Sequence, residues 1–553
     1  MEERGGRRLD VALAFSFGLL TVLLRLPYRL GVPYNWDAVQ FALALKEFDV
    51  TKHQPHPPGY LLYVLLGRLL NGWVQDSAQT YVILAVLMSG MTTLVVYLLA
   101  RALYDRPTAL TAAALLTVSP LFWFYGVVGL SYAAEALMAS AVAYFTYQAL
   151  LGRERYIYLS AIYLGLAGGV RQSVIMLLFP LWLGSLAWGT RSARKIIVAL
   201  GLLGLAVLTW FLPMIWLTGG LDRYLSASAE LFSSTVAKTS VFNEGSWEVA
   251  FVQLRYLLES TLVGLGFLFL GLLGLPLYWR RHGWSRPEWF LLIWMLPAIV
   301  FYSLVHFGRA GYVLTYLPAL MILLSRVLVV SVEAVTQTVE TPRIRWAVMG
   351  AVVGTLVLTN GAFFVSAKPT PREFKRERSD SRVGEWMDRA RADYQDMFES
   401  RTAAALREHE AVIRTYVETI RELYDPRETA LVTEVGNPRS YTWLRHAMFY
   451  LSEYPIYQLR VGTPPLHYYA PQSAVTMIPT ESSTITLAPR TRQLVWFVDS
   501  WNPLAERPRG LQEISLPYGR SLYVLPVGRK PLHYAGYTFA REKPARRVSR
   551  SAR

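Results

Sequence analysis

The chain has no cysteine among its 553 residues. Disulfides, thiol nucleophiles and cysteine-bound zinc are therefore excluded, and any outer domain must hold together by packing alone. Charge is scarce as well: 17% of residues are Asp, Glu, Lys or Arg, against about a quarter in soluble proteins. The formal net charge of +16 sits in short clusters between apolar runs and in the C-terminal tail, a placement that topology explains without nucleic acid as a partner. No repeat of solenoid period is present.

What is abundant is apolar side chain. Hydrophobic residues make up 53% of the chain, with runs at 11–24, 80–100, 196–217, 262–279, 289–305, 313–324 and 346–365. Most approach or reach the roughly 20 residues that cross a bilayer, and about eleven spans follow by this rule. The first run has the basic-then-apolar order of a signal peptide. However, Arg25-Leu26-Pro27-Tyr28 offers no small-residue cleavage site, so it reads as a retained anchor. Basic residues fall in alternate connections: Arg4, Arg7 and Arg8, then 101–106, 153–155, 191–195, 280–286 and 343–345. The positive-inside rule makes these cytoplasmic. The expectation is a multi-pass protein of the plasma or inner membrane, N-terminus in the cytoplasm and everything after Lys368 outside. The 17 Trp and 33 Tyr then suit the two interfacial belts.

Composition divides the chain further. Residues 1–366 form the membrane core, and the Pro- and charge-rich stretch 367–380 reads as a linker. Residues 381–540 read as an extracytoplasmic α/β domain. It opens with a charged helix over 383–424, and β-branched and aromatic runs at 430–435, 456–461, 484–488, 493–498 and 521–525 predict strands. The basic tail 541–553 is expected to be disordered.

Ionisable residues beside hydrocarbon are costly unless partnered or facing water, so their convergence on one side carries information. The outer connections collect Asp37, His53 and His56 in the first loop, Tyr132 and Glu135 where the fourth span begins, Arg171 after the Gly168-Gly169 break, and Arg309 with Tyr312. Each has a plainer explanation. Asp37 could cap a helix starting at Ala38, and Glu135 could satisfy a buried arginine or amide. Arg171 could snorkel to the interface, while Arg309 and Tyr312 could be interfacial anchors. His53 and His56 are interrupted by Pro55 and lack the spacing of a helical metal pair. Residues 60–70, short and carrying Arg68, predict an interfacial amphipathic helix rather than a span.

Several segments carry a resemblance when taken in order. They are Asn35-Trp36-Asp37-Ala38-Val39-Gln40, His56-Pro57-Pro58-Gly59-Tyr60-Leu61-Leu62, Tyr132 with Glu135, Gly165-Leu166-Ala167-Gly168-Gly169-Val170-Arg171 leading to Pro180, and Arg309-Ala310-Gly311-Tyr312 leading to Leu317-Pro318-Ala319-Leu320. Over residues 9–365 the chain resembles the polytopic GT-C glycosyltransferases that use lipid-linked sugars. It resembles especially the branch containing protein O-mannosyltransferases and aminoarabinose transferases, and is glycosyltransferase family 39-like. The resemblance implies an all-α polytopic membrane fold with a C-terminal extracytoplasmic α/β domain. It also implies transfer of a sugar, with inversion, from a polyprenyl-phosphate donor to a glycan, lipid or protein acceptor. Asp37 matches the family's loop acid and would act as general base, since a hydroxyl becomes a good nucleophile only as its proton leaves. The departing lipid phosphate needs cations and donors rather than an acid. His56, Arg171, Arg309 and Tyr312 are candidates for it, and Tyr132, Glu135 and His53 for the rest of the substrate. Arg171→Ala or Arg309→Ala is expected to weaken donor use without unfolding the protein.

Two departures from the family matter. Related enzymes often have Asp-Glu where this chain has Asp37-Ala38, which leaves a divalent metal an open question. They often have Lys-Pro-Pro where this chain has His56-Pro57-Pro58, which exchanges a fixed charge for a titratable one. The rival reading is a transporter or lipid flippase. Those place polar residues near the midplane of two similar halves, and neither feature is evident here.

Overall fold

Apolar runs become helices because, inside a bilayer, only the chain itself can serve a backbone N–H or C=O. The computed structural model describes residues 2–190, 192–306, 308–366, 401–435, 444–462, 466, 468–470, 480–497 and 504–542. The chain forms two compact units. One comprises residues 1–31, 44–51 and 57–407, the other residues 32–43, 52–56 and 408–553. The linker expected at 367–380 lies outside the described residues.

In chain order the helices are α1 (Glu2–Arg25), α2 (Trp36–Ala44), α3 (Leu61–Val74), α4 (Ser77–Leu103), α5 (Arg106–Thr117), α6 (Pro120–Tyr125), α7 (Tyr132–Leu150), α8 (Arg155–Val170), α9 (Ser173–Gly189), α10 (Ala193–Leu217), α11 (Leu221–Leu231), α12 (Trp247–Leu265), α13 (Leu275–His282), α14 (Arg286–Leu304), α15 (Leu317–Thr336), α16 (Pro342–Ser366), α17 (Ala403–Leu423) and α18 (Leu444–Tyr450). Their starts are written in the sequence. Asp76 accepts from the N–H groups of Ala78 and Gln79 at 2.8 and 3.1 Å, and Asp105 accepts from Thr108 at 2.9 Å with Pro107 in the first turn. Ser285 and Glu288 form a capping box on α14. Each satisfies N–H groups that a helix cannot bond internally.

Among the described residues, seven helices are long and apolar enough to cross a membrane, and the protein is an integral membrane protein. Counting about eleven spans requires adding α5, α7, α8 and α9, which fall short of that standard. The reason is clearest in α7. It packs against α4, α8 and α9 and is buried along nearly its whole length, so it needs no greasy exterior and carries Glu135 and Gln148. The predicted span 262–279 is the second half of a longer rod, Trp247–His282, whose middle is a 3-10 segment, Gly266–Gly274. Asn360 of α16 serves the break, accepting from the Phe267 N–H at 2.9 Å. The predicted span 313–324 begins later, at Leu317, after a 3-10 turn Ala310–Thr315. Of residues 60–70, all but Tyr60 lie on a short helix, α3, whose Arg68 donates to the carbonyls of Ala44 and Leu45.

The second unit is built on a six-stranded sheet ordered β3-β2-β1-β5-β7-β6. Its strands are β1 (Thr429–Val435), β2 (Ile456–Arg460), β3 (Tyr468–Tyr469), β5 (Gln493–Trp496), β6 (Gln512–Leu516) and β7 (Arg520–Pro526), and a three-stranded sheet holds β4 (Thr484–Leu487), β8 (Leu532–Tyr534) and β9 (Tyr537–Arg541). Strand β1 runs parallel to both β2 and β5, with Leu431 opposite Ile456 and Val495. The shared core is Val432, Leu459, Trp496, Tyr534 and Phe539. Arg541, placed in the tail by composition, ends β9, and residues 543–553 lie outside the described residues.

Candidate active site

The sequence-predicted residues fall into two groups, one in each unit. In the first unit the break between α8 and α9 leaves Arg171 extended, and three segments meet its guanidinium. Arg171 Nε lies 2.9 Å from Glu135 Oε2, a buried ion pair, and Nη1 donates to Ser131 Oγ at 2.7 Å. The guanidinium carbon stands over the rings of Tyr132 at 4.9 Å, Tyr312 at 5.2 Å and Tyr60 at 5.7 Å. Glu135 is fully buried and also accepts from Thr315 Oγ1 at 2.7 Å and Ser173 Oγ at 3.3 Å. A cation caged by aromatic faces is stabilised by their quadrupoles, and here its charge is already matched by the carboxylate. Arg171 is therefore a partnered group rather than a snorkelling one, with Glu135 as its counter-ion.

Tyr312 is held by a stacked partner, Tyr302, with ring centroids 4.4 Å apart, and by the edge of His306. Arg309 is exposed at the start of the 3-10 turn. Gly311 permits the approach of Tyr132: a Cβ there would lie 2.5 Å from the ring. Gly311→Ala is thus expected to cost about 1–3 kcal/mol through overpacking and to displace Tyr132. Gly354→Ala, inside α16 with nothing within 4 Å, should not lower the melting temperature, and thermal denaturation of the two variants checks this. The Pro58 carbonyl accepts from Gln172 Nε2 at 3.0 Å and Tyr224 Oη at 3.3 Å. Gly59, at φ +113° and against Met214, supplies a turn that residues with a Cβ rarely adopt. The helices that carry this cluster also line an apolar groove of about 310 Å³, with Leu62, Leu66, Leu69, Met138, Leu166 and Val170 among its walls.

In the second unit Asp37 stands in the first turn of α2. It is not the cap: Asn35 Oδ1 accepts the Ala38 N–H at 3.1 Å, which removes the capping explanation of the acid. His56 Nδ1 lies 2.8 Å from Gln40 Oε1 and 3.8 Å from Asp37 Oδ1. An amide oxygen only accepts, so Nδ1 carries the proton. His53 has φ +55°. Burial, aided by the positive fields of Arg445 and His56 and opposed by Asp37, holds its pKa down at about 4. It is neutral at physiological pH and can offer a substrate hydrogen bonds but no charge. Among the described residues, no three His, Asp or Glu side chains gather as a metal site.

Two more histidines of this unit, His409 and His446, are pushed down by burial to about 4 and about 3. A folded-state pKa below the unfolded value adds stability that is full above about 6.5 and lost as pH falls through about 4. Each group contributes a slope of up to about 1.4 kcal/mol per pH unit in that window. The second unit is expected to unfold first on acidification, and His409→Gln with His446→Gln should flatten the pH dependence, read by hydrogen exchange on the β1 and β5 amides.

Comparison with known proteins bears on the fold. Residues 37–194 match the family model of the protein O-mannosyl-transferase TMEM260 N-terminal domain. ArnT from Cupriavidus metallidurans, bound to undecaprenyl phosphate, superposes with a TM-score of 0.54 at 15% identity, covering 94% of this chain and 98% of that one. This is the fold of the GT-C glycosyltransferases. The apo form of ArnT gives 0.48 at 16% identity over 84% and 87% of the two chains. The oligosaccharyltransferase AglB from Archaeoglobus fulgidus, in complex with an inhibitory peptide and a dolichol-phosphate, gives 0.42 at 15% identity over 64% and 55%. No curated protein sequence matches the chain significantly. Ser131, Ser173, Thr315, Tyr302 and Gln40 contact the candidate residues and were not among the candidates read from the sequence. Hydroxyls and amides inside apolar runs give no signal until their partners are known.

Proposed function

We propose that the protein is an integral membrane glycosyltransferase. It would move a sugar from a polyprenyl phosphate to an acceptor on the extracytoplasmic side, with inversion at the anomeric carbon. The observation that carries this reading is that the same segments of the first unit supply both the polar cluster and the apolar groove. Val170 lines the groove and Arg171 is the next residue, while Leu62 lines it two residues after Tyr60. A lipid with an anionic head has that chemistry. The likeness to ArnT, itself bound to undecaprenyl phosphate, supports a lipid phosphate as donor. Arg171, Arg309 and Tyr312 supply the phosphate with charge-assisted and hydrogen-bonding contacts. Asp37 takes the acceptor proton as general base, and neutral His53 and the Glu135-held Arg171 orient the substrate.

The test is incubation of purified, reconstituted protein with a panel of polyprenyl-phosphate sugars, monitored for release of the lipid phosphate. Release with at least one donor is expected. Movement of a donor across the bilayer without any release would make the protein a flippase. Orientation is checked with Arg309→Cys, which gives this cysteine-free chain one exposed thiol. An impermeant thiol reagent added outside should label it.

A further inference from the structure

We infer that His409, Arg445 and His446 are positioning residues that aim Asp37, so that the C-terminal domain sets the reactivity of the first-loop acid. This rests on the general-base reading of Asp37. All the residues involved belong to the second unit, where residues 32–43 and 52–56 fold with 408–553. His446 Nε2 lies 3.0 Å from the Pro33 carbonyl oxygen and His409 Nε2 lies 2.7 Å from that of Tyr34. A carbonyl only accepts, so each imidazole carries its proton on Nε2 and donates it. Arg445 stands over the Trp36 ring at 5.3 Å and donates from Nη2 to the Lys52 carbonyl at 3.0 Å.

The three side chains therefore grip positions 33, 34 and 36 immediately before Asp37, and position 52 just before His53. Fixing the chain through the first turn of α2 fixes the direction in which the Asp37 carboxylate leaves the helix.

The cost of the arrangement argues that the geometry matters. Arg445 and His446 are fully buried, and among the described residues no carboxylate lies within ion-pair distance of Arg445. A buried cation held by one backbone carbonyl, the Met448 sulfur and one ring is an expensive way to fill space, since an apolar side chain of similar volume would pack there without desolvation. A carboxylate acting as general base must lie within hydrogen-bond reach of the proton it takes, and displacement by about 1 Å can cost on the order of a hundredfold in rate.

The experiment uses the full-length protein and exploits amide length. The glutamine amide nitrogen reaches as far as histidine Nε2, whereas that of asparagine falls short, so His409→Asn/His446→Asn is compared with His409→Gln/His446→Gln. The donor is the one identified by lipid-phosphate release, and undecaprenyl phosphate serves as the binding probe. The asparagine pair should lower kcat per folded molecule on the order of a hundredfold. Donor KM and undecaprenyl phosphate affinity should stay level, and amides of residues 35–43 should exchange faster. The glutamine pair should recover most of the rate. Equal kcat per folded molecule in the two proteins would overturn the inference, and so would a loss confined to donor KM. Asp37→Asn runs alongside. If it is inactive while the asparagine pair is fully active, the inference fails alone. If it turns over normally, the general-base reading has failed and positioning fails with it.

Discussion

Asp37→Asn is expected to fold and bind donor normally while transfer falls roughly a hundred- to ten-thousandfold, the range for a lost general base. The substitution keeps the size of the side chain and much of its hydrogen bonding but removes the proton acceptor. Donor binding should change little, because the phosphate is assigned to Arg309, Tyr312 and their neighbours. The structure sharpens this test. Asn35, not Asp37, caps α2, so a large loss of rate cannot be attributed to an unravelled helix start. A folded Asp37→Asn protein with a near-normal transfer rate would end the catalytic claim and strengthen the transporter reading.

Arg171→Ala is expected to be severe in a different way. The sequence alone suggests weakened donor use in a stable protein. The ion pair with Glu135 changes that expectation, since removing the guanidinium strands a fully buried carboxylate. Breaking a buried pair from one side costs about 3–5 kcal/mol, so a steep drop in melting temperature and in yield of folded protein should precede any kinetic effect. Replacing both partners, as Glu135→Gln with Arg171→Met, should restore much of the stability without restoring transfer, because no charge is left uncompensated but the caged cation is gone. Normal stability of the single alanine variant would show that water reaches Glu135 and neutralises the penalty. Arg309→Ala, at an exposed position, should by contrast weaken donor use and leave melting unchanged.

The membrane core was legible because long apolar runs admit only one solution in a bilayer, and the caps at Asp76, Asp105 and Ser285 are local signals. The five predicted strands were legible for a similar reason: alternation and β-branching are written within each segment. What could not be read was whatever depends on partners far along the chain. Gln512–Leu516 is a polar edge strand that exists because β7 lies beside it, and Arg541 looked like the start of a basic tail because the pairing of Tyr537–Arg541 with β4 is invisible in composition. The same holds at the site. Asp37, Glu135 and Arg171 were recognisable as odd charges beside hydrocarbon. That Glu135 would hold Arg171, or that His446 would bind the Pro33 carbonyl, is set by packing across the fold.

The grip of His409 on Tyr34 joins residues 375 positions apart, and this gives the molecule a timetable. At synthesis rates of roughly 5–20 residues per second, the segment before Asp37 leaves the ribosome roughly 20–75 s ahead of the side chains that hold it. The helices made in between can enter the bilayer as they emerge, while the acid-bearing loop waits for the last domain to be made. Anchoring of that acid is thereby tied to the making of residues 409–446: a ribosome that stalls after α16 would leave a membrane bundle with an unanchored acid.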